Sequence, residues 1–224
     1  MRSELILALD VENLERAKYF ARKLYPGIKI FKVGLQLFIA EGPRVIKMVR
    51  EQGGQVFLDL KLMDNPHTVA MAARQAARHK VKMLTLHISG GEDMLKAAVE
   101  GAADEARKLK IKRPLLIGVT VLTSKPARPG EVLKLARAGL GAGLDGVVCS
   151  AREAGMLRQR IKRKFVIVTP GIRRAGGARH DQKRTATVSE AIKAGSNFLV
   201  IGRPVLQADD PLKVVDSLRK EASC

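Results

Sequence analysis

Four charged side chains lie within or directly after two apolar stretches of the sequence. Residues 55–62 contain Asp59 and Lys61, and Asp64 follows them directly. Side chains two residues apart on a β-strand point to the same face, so Asp59 and Lys61 are predicted to face one site. Lys32 occupies the preceding apolar stretch. Burying a charged side chain in such a stretch costs several kcal/mol of folding free energy unless the charge is paired or bound by a ligand.

This alternation of lysine and aspartate is typical of a proton-transfer site. A lysine ammonium surrounded by carboxylates stays protonated and can act as a positioned proton donor. The order Lys32, Asp59, Lys61, Asp64 provides such surroundings for Lys61. From spacing alone, a structural ion-pair cluster that closes one end of the fold is the alternative.

A second group of residues indicates a phosphate site. Residues 168–173 read Val-Thr-Pro-Gly-Ile-Arg, a basic stretch continues through 184, and Gly-Arg-Pro occupies 202–204. Glycine permits close backbone approach to a ligand, and arginine offers a two-pronged donor to phosphate. We expect Arg173, Gly202 and Arg203 to bind an anion under a mobile loop at 173–184. For Gly-Arg-Pro alone, a plain turn that begins a helix is the alternative.

The elements that must position these residues repeat a strand and a helix eight times. Near-continuous apolar runs, typical of parallel strands covered on both sides, predict strands at 5–10, 28–35, 55–62, 81–88, 114–122, 144–150, 165–172 and 197–205. Apolar residues spaced by three and four predict helices at 13–24, 43–51, 68–79, 93–109, 131–138, 151–161, 188–194 and 212–222.

This alternation predicts an α/β fold, a single (β/α)8 TIM barrel over residues 1–224, with an open doubly wound sheet as the alternative. Barrel enzymes build their sites at the C-terminal ends of the strands. The polar residues fit that rule, because Asp10 ends the first predicted strand, His87 ends the fourth and Thr123 follows the fifth.

Composition narrows the class of protein. The 224 residues are 46% hydrophobic and 28% charged, which excludes intrinsic disorder, and no apolar run is long enough to span a membrane. With neither a membrane span nor a secretory segment at the N-terminus, a cytoplasmic protein is expected. Two cysteines provide neither a disulfide framework nor a zinc cluster.

The net charge of +19 raises the question of nucleic acid. The basic residues occur in many segments, most densely at 108–113 and 158–164, and aromatic residues make up only 4% of the chain. We therefore expect mostly solvated helix surface that attracts an anionic small molecule, and nucleic acid is an unlikely partner.

The sequence resembles the short bacterial form of orotidine 5′-phosphate decarboxylase over essentially its full length. The resemblance is carried in the family's order by LALD ending at Asp10, FKVG at Gly34, FLDLKLMD at Asp64, His87 with Gly-Gly, VTVLTS at Ser124, DGVVCS at Ser150, VTPGIR at Arg173, DQKR at Arg184 and GRP at Pro204.

The resemblance implies cofactor-free, metal-free conversion of orotidine 5′-monophosphate to uridine 5′-monophosphate and CO2, the last step of de novo UMP synthesis. Lys61 would donate a proton to C6 of the pyrimidine, and Asp59 would lie against the departing carboxylate. Lys32 and Asp64 would complete the network. The family also implies a homodimer in which Asp64 and Thr68 reach across the interface.

Further positions match the family's substrate-binding residues. Asp10, Lys32 and Thr68 match ribose contacts, Thr123 and Ser124 the segment near the base, and Arg173, Gln182, Gly202 and Arg203 the phosphate set. Two positions depart from the family's pattern: Asn65 replaces an apolar residue expected near the pyrimidine, and His67 replaces an asparagine.

Two other functions remain open at this stage. Related barrel enzymes, 3-keto-gulonate 6-phosphate decarboxylase and hexulose phosphate synthase, use the same Asp-x-Lys-x-x-Asp element with Mg²⁺. The segments ending at Ser124, Arg173 and Arg184 favour the nucleotide substrate. A basic nucleic-acid-binding protein on a barrel scaffold is the alternative from another class.

Overall fold

The computed structural model describes residues 3–173 and 185–222, which form a closed barrel of eight parallel strands. Each strand pairs with the next in the chain, and β8 pairs with β1. The strands are β1 (Glu4–Ala8), β2 (Ile30–Gly34), β3 (Gln55–Leu62), β4 (Met83–His87), β5 (Leu115–Val119), β6 (Gly146–Val148), β7 (Val166–Thr169) and β8 (Phe198–Ile201). The predicted (β/α)8 barrel is confirmed, and the open sheet is excluded.

Helices follow the strands and surround the barrel. They are α1 (Leu14–Leu24), α2 (Leu35–Glu41), α3 (Arg44–Glu51), α4 (Pro66–Arg78), α5 (Glu92–Lys108), α6 (Pro129–Gly141), α7 (Ala151–Arg160), α8 (Val188–Lys193), α9 (Arg203–Leu206) and α10 (Pro211–Glu221). Side-chain oxygens of Asn13, Asn65, Thr187 and Asp210 accept hydrogen bonds from backbone N–H groups at the starts of α1, α4, α8 and α10. These caps explain why the chain turns helical at those positions.

Several predicted strands extend too far at their C-terminal ends. The first ends at Ala8, so Asp10 lies two residues beyond it, and the last ends at Ile201 instead of residue 205. Leu9 and Val11 are buried although they lie outside β1, so apolar character alone overestimates the strand. After β8, Pro204 lies in the first turn of the short helix α9, a position where its missing N–H costs nothing.

The short helix α2 was also not predicted. Its first residue falls in the second predicted strand and the others lie between that strand and the predicted helix at 43–51, but the chain turns helical directly after Gly34. Two of its apolar side chains, Leu35 and Ile39, remain exposed in the single chain.

Two apolar clusters support the barrel. The larger one fills the space between strands and helices. The smaller one fills the barrel interior and is formed by Ile6, Ala8, Ile30, Phe57, Met83, Ile117, Val168, Phe198 and Val200. Because strand residues alternate between these two clusters, the residue two positions after an interior side chain also points inward. Within residues 3–173 and 185–222, no helix has the length and apolar character needed to cross a membrane.

Candidate active site

The charged residues continue the interior rows of the barrel toward its C-terminal end. On β2, Ile30 of the interior cluster is followed two residues later by Lys32, and on β3, Phe57 is followed by Asp59. The same step on β4 leads from Met83 to a threonine, Thr85. The interior is therefore apolar at its centre and becomes polar at one mouth, as the predicted placement requires.

Asp59 lies between two lysines. Its Oδ2 atom is 2.9 Å from the Nζ atom of Lys61 and 3.7 Å from that of Lys32. Lys32 Nζ also lies 2.9 Å from Oδ1 of Asp10. The side chains of Lys32 and Asp59 are only 12% and 13% exposed, so burial keeps these charges in fixed positions. The structure thus brings together four of the predicted residues in one chain of ion pairs.

A local irregularity of β3 positions Lys61. The pairing of β3 with β4 shifts between Leu58 and Leu62, and Lys61 has a φ of 51°, in the left-handed region that side chains rarely adopt. The hydroxyl of buried Thr85 accepts a hydrogen bond from the Lys61 N–H and donates one to Asp59 Oδ1, both 2.9 Å long. One hydroxyl therefore fixes both members of the Asp59–Lys61 pair.

The charge of Asp59 follows from its surroundings. Burial raises the pKa of this carboxyl, but the ammonium groups of Lys32 and Lys61 and the hydrogen bonds from Lys61 and Thr85 outweigh burial, so the net pKa is lowered below its ordinary value. At neutral pH, Asp59 is an anion. At the end of β4, burial is the largest influence on His87 and lowers its pKa, with a smaller contribution from Lys61.

The ion pairs open into a cavity of about 340 Å³ at the barrel mouth. Besides Asp10, Lys32, Asp59 and Lys61, the predicted residues that line it are Thr123, Ser124, Arg173, Gly202 and Arg203. Apolar side chains, including Val119, Val148 and Val168, form part of the wall. The cavity therefore has a charged side at β2 and β3, an apolar part, and two arginines at β7 and β8.

Two residues of this region were not assigned a role from the sequence. Thr85 could have been suspected, because it is a polar residue in the interior register of an apolar strand. Gly34 has a steric role: a Cβ atom there would lie 2.9 Å from Lys32 Nζ and 3.5 Å from Asp10 Oδ1. Glycine at this position leaves room for the Lys32–Asp10 ion pair.

Two predicted site residues do not line this cavity. Asp64 and Thr68 lie in an exposed stretch after β3, outside the cavity lining. Gln182, together with most of the predicted loop at 173–184, lies outside the described residues. Asn65, expected near the pyrimidine, does not line the cavity either; its side chain caps α4 through the Thr68 N–H at 2.9 Å. His67 is exposed in the same stretch.

Comparisons with known proteins agree on one family. A sequence model of the "Orotidine 5'-phosphate decarboxylase / HUMPS family" matches residues 3–218. The chain is 45% identical to an orotidine 5'-phosphate decarboxylase of Syntrophotalea carbinolica, over 98% of this chain and 95% of that one. It is 42% identical to the protein of the same name from Moorella thermoacetica, over 98% and 92% of the two chains.

Solved structures give the same result. The crystal structure of orotidine 5'-phosphate decarboxylase from Lactobacillus acidophilus superposes with a TM-score of 0.87 at 34% identity, covering 100% of both chains. A protein from Geobacillus kaustophilus, described as an uncharacterized conserved protein, superposes with a TM-score of 0.83, also at 34% identity, covering 97% of this chain and 99% of that one.

Proposed function

We propose that this chain, which belongs to the orotidine 5′-phosphate decarboxylase / HUMPS family and is a carboxy-lyase, converts orotidine 5′-monophosphate to uridine 5′-monophosphate and CO2. This reaction is the last step of de novo UMP synthesis, and we place it in the cytoplasm. The observation that carries the proposal is the buried carboxylate of Asp59 between Lys32 and Lys61 at the edge of the cavity.

Lys61 is the proposed proton donor. When the bond between C6 and the carboxyl carbon breaks, CO2 leaves and the electron pair stays at C6, in the plane of the ring. No adjacent carbonyl accepts that pair, so a fixed cation must stabilise it. The Lys61 ammonium supplies this charge and then transfers a proton from Nζ to C6. Solvent afterwards restores the proton on Lys61.

Asp59 and Lys32 act around that step. The Asp59 carboxylate lies beside the substrate carboxylate and disfavours the ground state, while its ion pair with Lys61 holds the donor in position. Lys32 contacts Asp59 and Asp10 at the same time, and we assign Asp10 to the ribose. These two residues therefore link substrate binding to the proton donor.

The opposite wall of the cavity is suited to the phosphate. Arg173 and Arg203 lie after β7 and β8, and Gly202 presents backbone to the cavity without a side chain. Thr123 and Ser124 lie on the β5 side, where we place the base. Binding energy from the remote phosphate can be used at the reacting carbon. Gln182 is proposed to complete the phosphate set.

No metal or other cofactor is needed for this reaction. A divalent cation at the mouth would compete with two ammonium groups for Asp59. Mg²⁺-dependent chemistry on a sugar phosphate is the rival within the family.

The test compares initial rates of absorbance loss on orotidine monophosphate in excess chelator with rates on 3-keto-gulonate 6-phosphate or hexulose phosphate in Mg²⁺. We expect turnover only of the nucleotide, undiminished by chelator. Turnover of a sugar phosphate with Mg²⁺, and none of the nucleotide, would reverse the assignment.

A homodimer with a shared site is part of the proposal. Asp64 and Thr68 lie in an exposed segment after β3, and the exposed apolar side chains of Leu35, Ile39 and Met63 lie on α2 and in that same segment. We take these side chains as part of the surface that a second copy covers. A second copy docked there would receive Asp64 and Thr68 in its own cavity.

Subunit mixing tests this arrangement. Lys61→Ala and Asp64→Ala are each expected to be inactive, but a heterodimer of the two contains one site in which both residues are intact. Mixing with subunit exchange should restore up to about a quarter of wild-type activity, because half of the dimers are mixed and one of their two sites is whole. No recovery, with exchange verified by mass spectrometry of tagged subunits, would refute the shared site.

A further inference from the structure

The connections that lead from a helix to the next strand meet at the N-terminal end of the barrel, opposite the active site. Seven such connections precede β2 to β8, and backbone hydrogen bonds join neighbours around the rim, for example Leu115 N–H to Lys82 O at 2.9 Å. They cover residues 25–29, 52–54, 79–82, 109–114, 142–145, 161–165 and 194–197.

These connections are strongly basic, and we call this end the basic face. The connections contain one acidic residue, Asp145, and nine basic ones: Lys29, Lys80, Lys82, Lys110, Lys112, Arg113, Lys162, Arg163 and Lys164. The exposed Glu4, at the start of β1, also lies at this end. The two dense basic stretches of the sequence contribute six of the nine, so these six lie in connections and not on the helix surface that the sequence predicts. They lie in the connections before β5 and β7, separated on the rim only by the one before β6.

Most of this charge is not neutralised within the chain. Arg113 pairs with Asp145 at 2.8 Å, Lys82 donates to Gln55, and Arg163 donates to a backbone carbonyl. The remaining six lysines are exposed, and within residues 3–173 and 185–222 none has an acidic oxygen within 4.0 Å. An assembly of unpartnered ammonium groups on one surface attracts a polyanion.

Two of the lysines occupy positions that favour glycine. Five of the connections begin with the same turn, in which the residue two positions after the helix has a positive φ; at three of these positions the residue is Gly53, Gly143 or Gly195. At the other two it is Lys80, with φ 54°, and Lys110, with φ 52°. Glycine adopts this conformation without steric cost, whereas a lysine does not. Fold alone therefore does not explain lysine at these two positions.

The chemistry of the face selects the kind of partner. Seven of its nine basic residues are lysines, which bind phosphates as point charges, and both arginines are engaged within the chain. Tyr25 is the exposed aromatic side chain in these connections, so there is no row of rings on which unpaired bases could stack. We propose that the basic face binds the phosphate backbone of duplex nucleic acid without reading its sequence, as a function separate from catalysis.

The test measures binding of the intact protein to a fluorescent 20-base-pair duplex of arbitrary sequence by anisotropy, over a range of salt concentrations. Saturating uridine monophosphate is present throughout, so that the cavity is occupied. The face variant carries Lys80→Gly, Lys110→Gly and Lys112→Gln. The matched control carries Lys18→Gln, Lys134→Gln and Lys213→Gln, which remove the same charge from exposed positions on the helices.

The face variant is expected to bind at least about tenfold more weakly at low salt, because each lost phosphate contact removes about 0.9 from the slope of log K against log salt. The control should stay within about twofold of wild type. The melting temperature of the face variant should not fall, since glycine suits two of its three positions, so weaker binding cannot be assigned to unfolding.

Three results would overturn the proposal. Equal losses in both variants would assign binding to net charge alone, and unchanged binding in the face variant would exclude this surface. The same variants are also tested on vesicles containing phosphatidylglycerol. Tighter, face-dependent binding to vesicles than to the duplex would identify a membrane as the partner instead.

Discussion

The two ends of the barrel carry opposite kinds of charge arrangement. At the C-terminal end, the described strand-to-helix connections contain three basic residues, Lys125, Arg128 and Arg173, and three acidic ones, Asp10, Glu12 and Asp64. At the N-terminal end, the helix-to-strand connections contain nine basic residues and one acidic residue. Among the described residues, basic and acidic side chains are equal in number in the connections at the C-terminal end, whereas the connections at the N-terminal end carry a large basic excess.

The charges at the two ends are held in different ways. At the cavity, the side chains of Lys32 and Asp59 are buried, and ion pairs of 2.9 Å join Lys32 to Asp10 and Asp59 to Lys61, so these charges have defined positions relative to a substrate. Six of the seven lysines at the basic face are exposed and have no acidic partner among the described residues, so they provide a field rather than a fixed geometry. Substitutions at the cavity should therefore change rates, and those at the other end should change stability or association.

The largest difference in rate is expected between two variants that each remove one lysine, one at each end of the barrel. Lys61→Ala removes the proton donor and should lower kcat/KM by about four orders of magnitude, because general-acid catalysis alone contributes up to that much. Lys82→Ala, on the basic face, should leave kcat/KM within about twofold. Both are measured on orotidine monophosphate, with circular dichroism to check folding. Similar losses in the two variants would remove the distinction between the ends.

A smaller effect is expected from Arg203. A charged hydrogen bond contributes about 1.5–3 kcal/mol, so Arg203→Ala should lower kcat/KM on the nucleotide by roughly 10- to 150-fold. On the phosphate-free nucleoside, the variant and the wild type should differ little. An equal loss on both substrates would mean that Arg203 supports the barrel and not the phosphate.

Thr85 is expected to affect the rate only by holding Asp59 and Lys61 in position. Thr85→Val removes the hydroxyl that joins Asp59 to the Lys61 N–H, and we expect kcat to fall by about tenfold with little change in KM. Thr85→Ser keeps the hydroxyl and should restore most of the rate. If the serine variant is as slow as the valine variant, packing of the methyl group matters and the hydrogen bonds do not.

The lowered pKa of Asp59 predicts how its contribution to stability depends on pH. A carboxyl with a lowered folded-state pKa contributes stability that is present above its unfolded pKa of 3.8 and lost as pH falls through the lower folded value. The difference in unfolding free energy between wild type and Asp59→Asn should therefore be constant from pH 5 to 8 and should shrink only below about pH 4. Denaturant unfolding at several pH values measures it. A change between pH 5 and 8 would contradict the lowered pKa.

The smallest effect on rate is expected at Asp145. Its carboxylate binds Arg113 and accepts the Leu116 N–H, both at 2.8 Å, so Asp145→Asn should cost about 1 kcal/mol of stability. A protein of this size should melt about 2–4 °C lower. Turnover at 25 °C should not change, and a slower variant with an unchanged melting point would show that the two ends are coupled.

The barrel was predictable because its signals are local. Eight apolar runs and the helices between them indicated the fold, and residues such as Lys32 and Asp59 stood out as charges in apolar strands. The ends of the strands were less predictable, since Leu9 and Val11 stay buried after β1 has ended. Apolar residues indicate burial, and a buried segment can extend beyond the last residue of its strand.

Other features depend on contacts between distant segments. The role of Thr85 requires β3 and β4 to pair with a shift, which no local pattern encodes. The basic face likewise arises only when the connections before β5 and β7 are brought to one end of a closed barrel. In the linear sequence, their charges look dispersed.

The most direct test of the central claim is chemical rescue of Lys61→Ala. Methylammonium has about the size of the deleted ammonium and carries a proton that it can donate, whereas tetramethylammonium carries the same charge and no such proton. We expect methylammonium to restore decarboxylation of orotidine monophosphate in a saturable manner and tetramethylammonium not to restore it. Equal turnover with both cations would contradict it, because position 61 would then supply charge and not the proton.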